Sequence, residues 1–208
     1  MIRRLTSAAL LTALLGLGAC TILPESEALS VYQFPSPPAS GASSTSTEPR
    51  LPLSLRINTP QAGYAFSGPR IMVVTADNQL QSYKGVRWSD PGPQLLREYL
   101  AVALQRSGAL SSVTTDEHAL HADVHLDTNL RRFQLDTDGT PRIVIELDAR
   151  LVNPESRRIY VNHSFLVEHP VTSTQISDVV QGYGQATDDL TQQLLVWTRQ
   201  QLAPIAQD

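Results

Sequence analysis

A lone thiol, five imidazoles and scattered carboxylates are the groups through which this chain could do chemistry. His121 and His125 are four residues apart, and on a helix they would share a face and could hold zinc. They fall instead in a stretch that alternates with a period of two. Val124, Leu126, Thr128 and Leu130 point one way, and Asp123, His125, Asp127 and Asn129 the other. On such a strand the two imidazoles stand about 13 Å apart, too far for one metal. His118 and His169 read as loop residues. The acidic pairs Asp136 with Asp138 and Asp188 with Asp189 read as turn and helix-surface positions, and neither brings a partner base. No Gly-x-Ser-x-Gly elbow presents a nucleophile, and no glycine loop cradles phosphate; Gly182 and Gly184 lie within a helical pattern. These residues predict no metal, no cofactor and no catalytic group. The chemistry expected is that of binding.

Cys20 stands apart from this pattern. It follows Leu17, Gly18 and Ala19 directly. Upstream lie Arg3 and Arg4 and an apolar run over residues 8–17, below the roughly 18 residues a membrane span requires. A basic start, a short apolar core and small residues before the cut make a secretory signal. The arrangement resembles the bacterial lipoprotein signal, with Leu17, Gly18, Ala19 and Cys20 as its lipobox. The resemblance implies cleavage before Cys20, diacylation of its sulfur and acylation (typically palmitate) of the new amino terminus. A second acyl chain turns reversible membrane contact into a firm anchor. Thr21, where an aspartate would resemble an inner-membrane retention signal, suggests the outer membrane, on its periplasmic side.

Removal of the signal takes Arg3 and Arg4 with it, so the net charge falls from −4 to −6. An acidic chain of this kind argues against nucleic acid as a partner. With no second cysteine there is no internal disulfide, and stability must come from the core. The expected division is a signal peptide over 1–19, an acylated lead over 20–50 and one domain over 51–208. Within the lead, Tyr32 and Phe34 need something to pack against. Residues 35–50 are rich in proline, serine and threonine. They bury almost nothing and are expected to stay mobile, as a loop or a tether.

The domain reads as α+β. Strands are predicted over 51–57 and 71–74, with a returning hairpin arm over 80–83. A helix is predicted with Asp90 as its cap and Pro91 at its first position, ending at Gly108. Its apolar face is Leu95, Leu96, Tyr99, Leu100, Ala103 and Leu104. A long three-strand antiparallel meander should follow. Its first strand begins near His121 and carries a bulge where the alternation breaks at Arg131, Arg132 and Phe133. The second strand turns Ile143, Ile145, Leu147, Ala149 and Leu151 inward. The third turns Ile159, Val161, His163, Phe165 and Val167 to one side. A final helix opens at Ser177 or Asp178 and buries Val179, Tyr183, Ala186, Leu190, Leu194 and Trp197. The fold expected is a mainly antiparallel sheet packed on one face by two amphipathic helices.

Tyr64, Phe66, Tyr83 and Trp88 lie in or beside predicted loops. They are candidates for contact with a partner or ligand, set against an ordinary role in packing. The run Arg87-Trp88-Ser89-Asp90-Pro91 leading into a helix, together with the lipobox, Tyr32-Gln33-Phe34, Arg70-Ile71, Tyr83, the long strands and the closing helix, resembles the auxiliary lipoproteins of ABC-type transport systems, including the PqiC-like lipoproteins. The long insertion after Phe34 departs from that pattern. The resemblance implies an anchor in the inner leaflet of the outer membrane and partnership with an MCE-domain protein, an inner-membrane permease and a cytoplasmic ATPase. Together these would move phospholipid or other hydrophobic compounds between the membranes, with this chain docking and not catalysing. Two other readings remain open on the residues: a chaperone- or pilotin-like assembly lipoprotein, and a direct lipid carrier.

Overall fold

The computed structural model describes residues 29–38, 49–118 and 120–206. The lipobox residues Leu17, Gly18, Ala19 and Cys20 lie outside them. Among the described residues are ten strands and two helices, and the α+β architecture is as expected.

Three long strands dominate: β8 (Val124–Asp136), β9 (Arg142–Val152) and β10 (Ile159–Pro170), antiparallel in that order. Their inward residues alternate as the sequence requires. Ile143, Ile145, Leu147, Ala149 and Leu151 are fully buried. The register of β8 against β9 shifts between Leu130 and Arg132, so the bulge sits where the alternation breaks. The first strand starts at Val124, after His121. Ile159 is exposed, because the register of β10 against β9 shifts between Ile159 and Val161 and sets Ile159 opposite Val152, out of phase with Val161 opposite the buried Leu151.

The rest of the sheet departs from the expected antiparallel pattern. β8 receives three short strands end to end along its other edge, all parallel to it. These are β2 (Leu51–Ile57) at Val124 to Leu126, β3 (Gln61–Ala62) at Asn129 and Leu130, and β4 (Met72–Val74) at Gln134 to Asp136. β2 also takes the edge strand β7 (Leu110–Thr115) in parallel. Only β5 (Leu80–Ser82) returns as a hairpin arm, on β4. The sheet is therefore mixed. A single thirteen-residue strand is long enough to template three consecutive partners.

The lead contributes as well. β1 (Ser30–Tyr32) pairs in parallel with β6 (Val86–Trp88) as a separate two-stranded sheet. Phe34 then enters an aromatic cluster, and Leu51 begins β2. Both flanks of the Pro/Ser/Thr-rich run are thus bound into the fold.

The first helix, α1 (Gly92–Ser107), opens one residue later than expected. Pro91 is its cap and no side chain, Asp90 included, makes the capping bond. Pro93 sits in the first turn, where a missing N–H costs nothing. Gly108 closes it at φ 65°, a left-handed conformation that glycine adopts without strain. The second helix, α2 (Ile176–Ile205), begins before Ser177 and Asp178 and buries every apolar residue expected of it. Both helices pack on the inner face of the sheet. Gly182 in α2 lies so close to β9 and to the residue after β10 that an added Cβ would stand 2.3 Å from Val171 Cγ1 and 3.1 Å from Ile143 Cγ1. Gly182→Ala is therefore expected to destabilise by about 1–3 kcal/mol, despite gaining about 1 kcal/mol in helix propensity. A lowered urea midpoint with an unchanged slope would show it.

Candidate functional site

The four aromatic candidates part company in the structure. Tyr64 is 86% exposed, at the tip of the turn before β4. The turn is braced from within: Phe66 N–H donates to Gly63 O at 2.9 Å and Ser67 Oγ to Tyr64 O at 3.0 Å. Phe66 is half-buried against the core, so the loop is rooted while its tip stands in solvent. Tyr83 is half-buried and donates its hydroxyl to Thr174 O at 2.6 Å, tying β5 to the loop before α2. Trp88 is fully buried. Of the four, Tyr64 alone presents a ring to solvent.

Trp88 belongs to a cluster centred on Phe34, whose ring lies 5.2 Å from Trp88, 5.9 Å from Tyr99, 5.9 Å from Phe133 and 6.3 Å from Tyr183. The Trp88 and Tyr183 rings meet edge-to-face at 5.2 Å. Tyr99 donates to Asp188 Oδ1 at 2.6 Å, joining α1 to α2. Burial, helped by that carboxylate, pushes its phenol far above the ordinary range. Tyr183 is fully buried and its hydroxyl has no hydrogen-bond partner among the described residues. Burial alone pushes its phenol up. Tyr183→Phe removes an unsatisfied hydroxyl and keeps the ring, so it is expected to leave stability unchanged or raise it by about 1 kcal/mol. Thermal unfolding checks this.

A second centre escaped the sequence reading. Arg97, on the buried side of α1, is 4% exposed. Its guanidinium donates to Asp116 Oδ1 at 2.8 Å, Thr59 Oγ1 at 2.9 Å, Glu98 Oε1 at 2.6 Å and Glu117 Oε1. Burial opposes the charge, but the bonds to Glu117, Asp116 and Glu98 outweigh it and hold the proton more tightly than usual. Arg97 thereby clamps the loop after β2 and the turn after β7 to the helix. The signal was present: an arginine sits between Leu96 and Leu100 on the apolar stripe, where only a partnered charge survives burial.

The outer face of the sheet carries the wet residues of β8. Asp123 Oδ2 takes the Ser54 amide at 2.7 Å and hydroxyl at 2.6 Å, and Asn58 Nδ2 donates to Asp127 Oδ1 at 2.6 Å. Arg131 pairs with Asp148 at 2.7 Å, Arg132 with Glu146 at 2.5 Å and Arg142 with Asp136 at 3.2 Å. Between β2, β8 and β9 lies a cavity of about 420 Å³ lined by Arg56, Asn58, Thr59, Gln61, Asp127 and Arg150, among others. His125 borders a neighbouring hollow, and no group of three metal-ligating side chains forms among the described residues. Of the acidic pairs, Asp136 caps its own turn through the Asp138 amide at 2.9 Å. Asp188 serves Tyr99, and Asp189 faces His169 Nδ1 at 3.1 Å.

Comparison with known proteins places this arrangement. The family model described as the ABC-type transport auxiliary lipoprotein component matches residues 32–194. The crystal structure of a Xanthomonas campestris protein of the DUF330 family superposes with a TM-score of 0.75 at 26% identity, over 86% of this chain and 99% of its own. A second crystal structure, of an uncharacterised protein, superposes with a TM-score of 0.63 at 18% identity, over 83% of this chain and 99% of its own, and shares the fold. No curated protein matches the chain.

Proposed function

The chain belongs to the ABC-type transport auxiliary lipoprotein family, and on that premise we propose that it is a docking component at the outer membrane, not a catalyst. In this reading acyl chains on Cys20 hold the domain at the periplasmic surface of the inner leaflet. The domain meets the end of an MCE-domain assembly, whose permease and ATPase supply transport of phospholipid or another hydrophobic compound from the inner membrane.

The observation that carries the reading is a lipobox at residues 17–20 joined to a domain that the transport-auxiliary family covers. The position of β1 limits the geometry. Because Ser30 is the first residue paired with β6, the tether from Cys20 has ten residues and spans at most about 33–36 Å. The Pro/Ser/Thr-rich run lies beyond β1 and adds nothing to that reach. Tyr64, rooted through Phe66, is the proposed contact, since a rigid exposed aromatic loses little entropy on binding.

Crosslinking in native envelopes tests the proposal. The wild-type chain is expected to sediment with membranes and crosslink to the co-expressed MCE protein. Cys20→Ser should move it to the soluble fraction, and Tyr64→Ala should weaken the crosslink several-fold without altering the melting temperature. Absence of any crosslink in the wild type, with both proteins present, would sink the docking role.

A further inference from the structure

The arginines of the outer sheet face divide into two sets. Arg131, Arg132 and Arg142 each hold a carboxylate. Arg56 and Arg150 hold none within 4 Å among the described residues, and both line the same cavity. A second hollow, of about 430 Å³, shares Arg150 and Asp127 with it and adds His125 and Arg157, which likewise forms no ion pair. Asp116 at the rim is already neutralised by Arg97. Asp127 lines both hollows, and Asp148, near Arg150, is already paired with Arg131, so among the described residues the guanidinium groups of Arg56, Arg150 and Arg157 outnumber the carboxylates left to them, on a chain that is acidic overall.

The burial of one donor points the same way. Arg56 Nε is buried without a hydrogen-bond partner among the described residues. A buried guanidinium N–H left unpaired is costly, and such groups in folded proteins call for an occupant. The register sets the two arginines diagonally across β8: Arg56 lies opposite His125 on one side, and Arg150 opposite Asp127 on the other. From there long side chains converge over the strand. Planar forks with free N–H groups match the oxygens of a tetrahedral oxyanion better than any other side chain does.

We propose that Arg56 and Arg150 form a binding site for a phosphate group, as carried by a phosphate ester, on the face of the sheet opposite the helices. The site does not rest on docking to the MCE protein, and it stands or falls separately from it. His125 supplies an internal reporter. Burial, and after it the Arg56 charge, hold its imidazole below the ordinary value. A bound anion offsets the Arg56 charge and moves that titration upward.

The test uses the full-length acylated chain in a nonionic detergent, titrated with inorganic phosphate and with glycerophosphoethanolamine. His125 is followed by NMR and the heat by calorimetry. Saturable binding with a Kd of about 1 mM or tighter is expected, with an upward shift of the His125 titration. Arg150→Gln should weaken binding by about tenfold or more, whereas Arg131→Gln, at an arginine already paired, should not. Tighter binding of the phosphodiester assigns the site to a lipid headgroup. Tighter binding of inorganic phosphate assigns it to a free anion, and either result supports the site. Should Arg56→Gln fail to fold, Arg150→Gln decides alone, because the Arg150 side chain makes no hydrogen bond or ion pair among the described residues. No saturable binding of either probe, or unchanged binding in a folded Arg150→Gln variant, overturns the proposal.

Discussion

Trp88→Ala is expected to destabilise the protein by about 3–5 kcal/mol, the largest loss from any single change considered. Trp88 is fully buried between the β1–β6 pair and α2, with Phe34 and Tyr183 against it edge-to-face. Its backbone N–H donates to Pro69 O at 2.8 Å, and Ser89 N–H donates to Tyr32 O at 2.8 Å. The side chain therefore sits where the lead, the second short strand and a helix meet. Truncation leaves a cavity that these elements cannot close without giving up their own hydrogen bonds. Against a typical total of about 5–15 kcal/mol, the loss is severe. Urea denaturation measures it. The same experiment separates packing from partner contact: a surface role would leave the midpoint in place and change only association. Phe34 is expected to couple to Trp88 in a double-mutant cycle, because the two rings touch. That coupling would be read as non-additive midpoints.

The second large effect is expected at Arg97. Arg97→Met should cost about 2–4 kcal/mol, toward the low side of what breaking a buried ion pair costs, because Glu98 and Glu117 are half-exposed and water takes over part of their solvation. Asp116 bears most of the loss, since it is the least exposed of the three carboxylates. Its pKa also sets a pH dependence. Burial raises it, but the Thr59 amide and Arg97 together bring it below the ordinary 3.8. A carboxylate with a depressed native pKa stabilises the fold above its unfolded value. That contribution fades as the pH falls below about 4 toward the native pKa. The melting temperature should therefore drop on acidification through that window. In Arg97→Met the drop should be smaller, because much of the depression has gone. An equal drop in both proteins would place the acid-sensitive contact elsewhere.

Much of this fold was legible residue by residue. The alternation in β8 and β9 and the 3.6-residue period of α2 are local properties, and burial of one face follows from them directly. Even the bulge at Arg131 could be read, because a break in phase has to be absorbed where it occurs. The termini of the helices were less secure. Asp90 is a good cap by type, but Pro91 holds the cap position and the first turn is built by Gly92 and Pro93. Ile159 kept the alternation in sequence and still ended in solvent, since the register of β10 shifts between Ile159 and Val161, an irregularity that the run of residue types there does not mark.

The sequence by itself determined a three-strand meander and two apolar helix faces, since each is written in neighbouring residues. Tertiary structure alone decided which strands lie beside β8, and that they run parallel to it, because partner choice depends on the path of the intervening chain and not on the period within a strand. It also decided that Trp88 is core and Tyr64 surface, two aromatics in similar local settings. Arg97 meets Thr59 and Asp116 across 38 and 19 positions, and Arg56 reaches the cavity of Arg150 across the intervening strand β8. A charge finds its partner, or is left without one, only when the sheet sets its register.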